Sequence, residues 1–354
     1  MSTRGVPATG PIRGPAELVL AASIARRHYV DGRTKIEIAD EFRLSRFKVA
    51  RLLEAAREQG LVRIEIGHAG TIDVETSGRL AEHFGLKHAI VVDTPDDDLI
   101  SLRRNLGTAT ADLLSEIITP SDVIGLAWAR SVKAMVAELK RLPAVPVVQL
   151  TGALTSLHDT SSSIDGDSSV DIVRSVARIS GGPAYLFFAP FLVPDAATAL
   201  ALRKQPDVAR AFNMISSVTV AVAGIGRWAP GQSTLYDAAT EREQARLRRE
   251  GVCADVAGVF LTAAGRVLQT ALNDRMIAIS GAQMRSVDQL IAIPYGVAKA
   301  PAIRAALLSG LVDTLVTHVS LAEALLGGAA RPGTAPGSKS VSYTHLTLPT
   351  TPYV

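Results

Sequence analysis

The chain has 354 residues, 47% of them apolar, 20% charged and 5% aromatic, with a formal net charge of +3. That length holds two or three domains with a sizeable core, while so small a charge excludes general polyanion binding and so few aromatics exclude a stacking platform for single-stranded nucleic acid. The lone Cys253 excludes an internal disulfide and a Cys-rich zinc site, predicts a reducing compartment such as the cytoplasm, and no apolar run approaches the ~20 residues of a membrane span.

Residues 1–16 are rich in Pro, Gly and Arg, lack an apolar signal core, and read as a disordered leader. Residues 17–66 read as a DNA-binding helix-turn-helix. Glu17 to Val30 is a helix candidate closed by Asp31-Gly32. Thr34 and Glu37 form a capping-box pattern that starts a second helix. Ser45 is an N-cap three residues past Phe42, and Val49, Leu52, Leu53 and Ala56 recur at the spacing of a buried helix face. Small Ala39 allows the two helices to cross closely. If Arg43 in the turn is left-handed, it costs on the order of 1 kcal/mol. Leu61 to Ile66 alternates apolar and polar, predicting a short strand and a winged variant.

The third helix candidate carries the chemistry. At roughly 100° per residue, Phe47, Ala50, Arg51 and Glu54 point away from the apolar face, and no acid lies between Arg43 and Leu53. The predicted DNA-contacting set is Thr34, Ser45, Arg46, Phe47, Lys48 and Arg51. Arg51 suits a guanine edge, Phe47 a thymine methyl, and the flanking cations suit phosphate. The plainer alternative is a surface helix with a solvated basic face.

Residues 67–87 read as a linker and the start of a second domain, which fills 88–327. Strand candidates are His88–Val92, Asp122–Trp128, Pro146–Leu150, Ala184–Ala189, Val218–Gly224, Met276–Ser280, Gln289–Pro294 and Leu311–Thr317. Helix candidates between them are Leu99–Ile118, Ser131–Arg141, Val170–Ser180, Asp207–Ser216 and Pro301–Ser309. Alternation of this kind, with near-continuous apolar strands, predicts an α/β domain with a mostly parallel sheet.

In such a sheet, ligands sit at the carboxyl ends of strands. Four strand exits have suitable chemistry: Gly125 through Trp128 and Arg130 to Ser131, Thr151-Gly152-Ala153, Gly224-Ile225-Gly226, and Tyr295-Gly296 through Lys299. Helix N–H groups with Ser131, Arg130 and Lys299 can hold a phosphate. Any one of these glycines can equally be a simple turn. None is a full dinucleotide or P-loop motif, and no cofactor or metal is expected.

The span 17–327 resembles the SorC-type sugar-responsive transcriptional regulators. The resemblance rests on RTKIEIADEFRLSRFKVARLLEAAREQGLVRIEI, AGIG at 223–226, GVCADVAGVFLTAAG at 251–265 and YGVAKAPAIRAALLSGLVDTLVTHVSLAEALL at 295–326. It implies a sugar-phosphate domain similar in fold to ribose phosphate isomerase and glucosamine phosphate deaminase. It also implies effector contacts at Gly125, Ser131, Gly152, Asp255 and Lys299, a double-stranded operator, and a homo-oligomer that is not an enzyme. The full expected effector set is Gly125, Trp128, Arg130, Ser131, Gly152, Gly224, Gly226, Asp255 and Lys299. Two departures stand out: Trp128-Ala129-Arg130-Ser131 replaces the usual Trp-Gly-x-Thr, and Tyr295-Gly296 stands where a glycine pair is usual. The Cβ of Ala129 narrows backbone approach to a phosphate.

Two rival readings share these residues. One is an isomerase- or deaminase-type enzyme with an accessory DNA module, using Asp255 or the loop residues His158, Asp159 and Asp165 as acid and base. The other is a DNA-binding protein whose large domain only oligomerises. Residues 328–354 read as a disordered tail, whose final VSYTHLTLPTTPYV resembles translated adapter sequence and is read as non-native.

Overall fold

The structure, a computed structural model, describes residues 14–62, 71–96, 98–153 and 168–327. Two compact units divide the chain, 1–67 and 68–354.

The first unit holds three helices, α1 (Pro15–Tyr29), α2 (Lys35–Phe42) and α3 (Arg46–Glu58). Both reciprocal bonds of the capping box start α2: the Thr34 hydroxyl accepts from the Glu37 N–H, and the Glu37 carboxylate accepts from the Thr34 N–H. The helix ends at Arg43, which is left-handed at φ 52°. Ser45 then caps α3 by accepting from the Lys48 N–H at 3.2 Å. Ile24, Ile38, Val49, Leu52 and Leu53 close a core over Ala39. Leu61 and Val62 are bends, and residues 63–66 of the expected wing strand lie outside the described residues.

The second unit opens with α4 (Val74–Phe84), a helix in the stretch read as a linker, capped by Asp73 and ended by left-handed Gly85. There follow β1 (His88–Val92), α5 (Leu99–Ile117), β2 (Ile124–Leu126), α6 (Arg130–Glu138), β3 (Val147–Gln149), α7 (Ser169–Ser180) and β4 (Ala184–Tyr185). Next come α8 (Ala196–Arg203), α9 (Pro206–Ile215), β5 (Val220–Ala223), β6 (Gly226–Arg227), α10 (Thr234–Ala238), α11 (Glu241–Arg249), β7 (Val252–Val256), β8 (Val259–Thr262) and β9 (Val267–Leu268). The unit closes with α12 (Gly281–Ser286), β10 (Gln289–Ala292), α13 (Ala300–Leu308), β11 (Thr314–His318) and α14 (Val319–Leu326).

Seven of these strands form one parallel sheet in the order β1-β11-β10-β5-β2-β3-β4. Its central strands are buried on both faces, β5 and β10 at every position, which explains their unbroken apolar runs. One core lies under Leu290, Leu315 and Ile303, the other under Ile124, Val222 and Leu106. Against this sheet, Met276–Ser280 is not a strand. It makes only isolated bridges, Met276 with Leu192 and Ala278 with Thr151. A second, antiparallel sheet orders β6-β7-β8-β9, a hairpin ladder whose two long strands turn at Ala257-Gly258, both at positive φ.

Candidate functional site

Four adjacent strands of the parallel sheet, β10, β5, β2 and β3, end side by side. Their exits and the β6–β7 ladder enclose a cavity of about 100 Å³, room for several water-sized groups. Trp128, Arg130, Ser131, Gly152, Gly224, Gly226, Asp255 and Lys299 all line it. Gly125 does not. It sits within β2, where an added Cβ would meet Val218 at 2.8 Å and Leu150 at 2.9 Å, so its smallness serves strand packing below the cavity.

Part of the lining is cationic. Ala129 occupies the N-cap of α6 without a capping oxygen, so the helix start, with Ser131 buried in its first turn, presents a positive end to the cavity. Lys299 approaches from the β10 exit with its ammonium 5.4 Å from the Tyr295 ring centroid. Arg103 of α5 stacks on the same ring at 5.0 Å and donates from Nε to the Tyr295 hydroxyl at 2.9 Å. Burial pushes the Lys299 ammonium below its ordinary value. The Asp255 charge opposes this, and Arg130 and Arg103 add to the lowering. An anion placed here relieves that crowding of positive charge.

Another part of the lining carries acceptors. Asp255 on β7 is 8% exposed, and its Oδ1 accepts from the Ser233 hydroxyl at 2.6 Å. Burial pushes its carboxyl up, against the opposing effects of Ser233, Lys299 and the Gly258 backbone. Ser233 also caps α10 by accepting from the Tyr236 N–H. A Cβ at Gly226 would run into the Asp255 carboxylate and Ser233, so this glycine permits the close approach of β6 to that pair. A Cβ at Gly152 would meet the Pro190 carbonyl at 2.6 Å.

The loop bearing Lys299 is held from behind. The Gly296 N–H donates to Nε2 of fully buried His318 at 3.2 Å, with Gly296 at φ 88°. Burial keeps His318 below its ordinary value, opposed by Asp96.

Arg103, Gln232, Ser233 and Phe191 were not foreseen as part of this neighbourhood. Ser233 had a local signal, since it is a capping residue before a short helix. Arg103 had none: it is one cation among several on α5, and only the fold brings it to Tyr295. His158, Asp159 and Asp165 lie outside the described residues. Among the described residues, no group of three or more His, Cys, Asp or Glu is placed to hold a metal, and no helix is long and apolar enough to cross a membrane.

In the first unit, Arg46, Phe47, Lys48 and Arg51 are exposed along one side of α3, with Phe47 86% exposed. Glu41 and Asp31 are taken up by Arg27 and Arg33. Arg43, Arg46, Lys48 and Arg51 form no ion pair among the described residues, so their charge is open to an outside partner. Thr34 and Ser45, the remaining members of the expected set, stand at the starts of α2 and α3 as caps.

Residues 69–327 match the model of the family described as "Putative sugar-binding domain". The chain is 28% identical over 313 residues to the transcriptional regulator LsrR of Enterobacter sp. (strain 638), covering 87% of this chain and 92% of that protein. It is 29% identical over 313 residues to the erythritol catabolism regulatory protein EryD of Brucella abortus (strain 2308), covering 87% and 96%. In fold it is similar to the full-length sorbitol operon regulator SorC of Klebsiella pneumoniae, with a TM-score of 0.67, 24% identity, and 88% and 100% of the two chains covered. The chain belongs to this family, the SorC-type sugar-binding transcriptional regulators.

Proposed function

We propose that the protein binds operator DNA through α2 and α3, and that a phosphorylated sugar in the large unit's cavity changes that affinity. The observation that carries the effector reading is the polarity of the cavity. Ser131, Arg130, Lys299 and the start of α6 suit a phosphate, while Asp255 faces them with acceptors for sugar hydroxyls. Similarity to regulators named for erythritol catabolism and the sorbitol operon supports a carbohydrate ligand. On this reading residues 17–66 are the DNA module and 88–327 the effector and oligomerisation domain, in a cytoplasmic protein.

Two copies are required for full sequence specificity, since one helix-turn-helix reads only a half-site. No catalytic step is assigned to the cavity; Asp255 holds a ligand and does no chemistry. Purified protein is heated with a panel of sugar phosphates to test the reading. A compound that raises the melting temperature and is recovered unchanged supports a regulator. Turnover argues for an enzyme, and no shift with any member argues that the large unit only oligomerises.

A further inference from the structure

His318, at the end of β11, stands between two loops that are far apart in sequence. It is fully buried, and its Nε2 accepts from the Gly296 N–H at 3.2 Å. A neutral imidazole carries one proton, so an accepting Nε2 places that proton on Nδ1. Nδ1 is buried without a hydrogen-bond partner among the described residues, and it lies 4.0 Å from Oδ2 of Asp96, in the loop between β1 and α5. A carboxylate thus stands just beyond hydrogen-bond reach of a buried donor. A small approach of the two loops closes that bond, and a small separation leaves the donor unsatisfied, at a cost. One element therefore has two arrangements.

On one side this element leads to the cavity. Gly296 and Lys299 share a turn, closed by the Lys299 N–H donating to the Gly296 carbonyl at 3.0 Å, and Lys299 lines the cavity. On the other side it leads to the start of the second unit. His318 is paired with Val92 in the β1–β11 ladder, and Val92 is bridged in turn to Ile72. The Asp93 N–H donates to the Thr71 carbonyl at 2.6 Å, and the Asp73 N–H donates to the Val91 carbonyl at 2.8 Å. Thr71 and Ile72 open the described part of the second unit, which begins at residue 68.

We infer that the His318–Asp96 pair couples the ligand to DNA binding: an anion that draws Lys299 moves Gly296 and His318, and Asp96 and Val92 carry the movement to Thr71 and Ile72, where the second unit joins the first. The inference rests on the proposed function and assigns its regulation. The ligand must bind the open and closed arrangements unequally, because equal affinity shifts nothing.

The test uses the full chain. Ribose 5-phosphate, fructose 6-phosphate and glucose 6-phosphate are screened by melting temperature, and the most stabilising is kept as the probe. Calorimetry reads its affinity. Titration of a duplex selected by the protein from random sequence reads the ratio of DNA dissociation constants with and without saturating probe. Asp96→Ala removes the acceptor from a side chain that is 44% exposed. His318→Gln keeps an acceptor for the Gly296 N–H and removes the ring. Each should hold probe affinity within about threefold and shrink the ratio by roughly 2- to 30-fold, the range for single changes along a coupled network. The double variant should lose no more than the larger single loss. Should His318→Gln not fold, judged by its melting temperature without probe, Asp96→Ala decides alone. A wild-type ratio in Asp96→Ala, or fully additive losses in the double variant, overturns the inference while the proposed function stands. A loss of probe affinity as large as the loss in ratio overturns it too, since the pair then only holds the Lys299 turn in place. If no probe binds the wild-type chain, or one binds and leaves its DNA affinity unchanged, the inference falls together with the reading it rests on.

Discussion

The methyl group of Ala129 stands 2.7 Å from where a Cβ on Gly224 would be placed. Two strand exits thus share one small space, and Ala129 already fills it. Gly224→Ala should destabilise the large unit by roughly 1–3 kcal/mol, the usual cost of overpacking, and weaken sugar-phosphate binding. Pairing it with Ala129→Gly should restore much of both. Urea midpoints of the two single variants and the double variant check this, and simple additivity would show that the two sites are not coupled.

Lys299 is a half-buried cation that lines the cavity and interacts electrostatically with Asp255, and its loss should be selective. Lys299→Ala should lower affinity for a sugar phosphate by roughly tenfold to a hundredfold, the scale of a charge-assisted hydrogen bond. Basal operator binding should be unchanged, because Lys299 belongs to the other unit from the helix-turn-helix. Titration of operator DNA with and without ligand reads both effects. An unchanged ligand response would remove Lys299 from the site.

On α3 the two kinds of exposed residue should behave differently. Arg51→Ala should cost roughly 1–3 kcal/mol at a specific site and relax sequence preference, whereas Lys48→Ala should weaken binding to all sequences and lower the salt slope. Binding isotherms on specific and scrambled duplexes at several salt concentrations separate the two. Thr34→Ala should act through the fold instead, costing about 1 kcal/mol of stability in the first unit by loss of the capping box.

His318 predicts a pH dependence of stability. Its folded value lies below the ordinary one because it is buried, so the unfolded chain takes up the proton first as pH falls. Its contribution is therefore complete above about pH 6.5, the unfolded value, and is lost as pH falls from there through the folded value. His318→Gln keeps an acceptor for the Gly296 N–H and cannot titrate. Between pH 8 and pH 5 its denaturation midpoint should fall less than that of the wild-type chain. Parallel curves would contradict the assignment.

What was legible in the sequence was local. Thr34 with Glu37, and Ser45 before Arg46, mark helix starts by hydrogen bonds within four residues, and both caps stand where they were read. The apolar runs of β5 and β10 mark strands covered on both faces. What was not legible depended on distant partners. Met276–Ser280 looks like those runs, yet its apolar side chains are buried in a connection rather than a ladder. The hairpin β7–β8 was quoted only as a stretch of family likeness, because its turn at Ala257 uses positive φ on a residue that does not advertise it. Arg103 and Gln232 reach the cavity neighbourhood only through topology, and Gly125, read with the ligand loops, belongs to the packing beneath them.

The central claim is that a small anionic sugar controls DNA affinity. Its most direct measurement is a titration of full-length protein onto operator DNA at one fixed salt concentration, with and without a saturating sugar phosphate that raises the melting temperature. Since a ligand shifts an equilibrium only by its differential affinity for the two states, a true effector must change the DNA dissociation constant, by roughly 5- to 150-fold for a typical coupling. Such a shift is expected, together with its loss in Lys299→Ala. Identical isotherms with and without a ligand that demonstrably binds the cavity would contradict it.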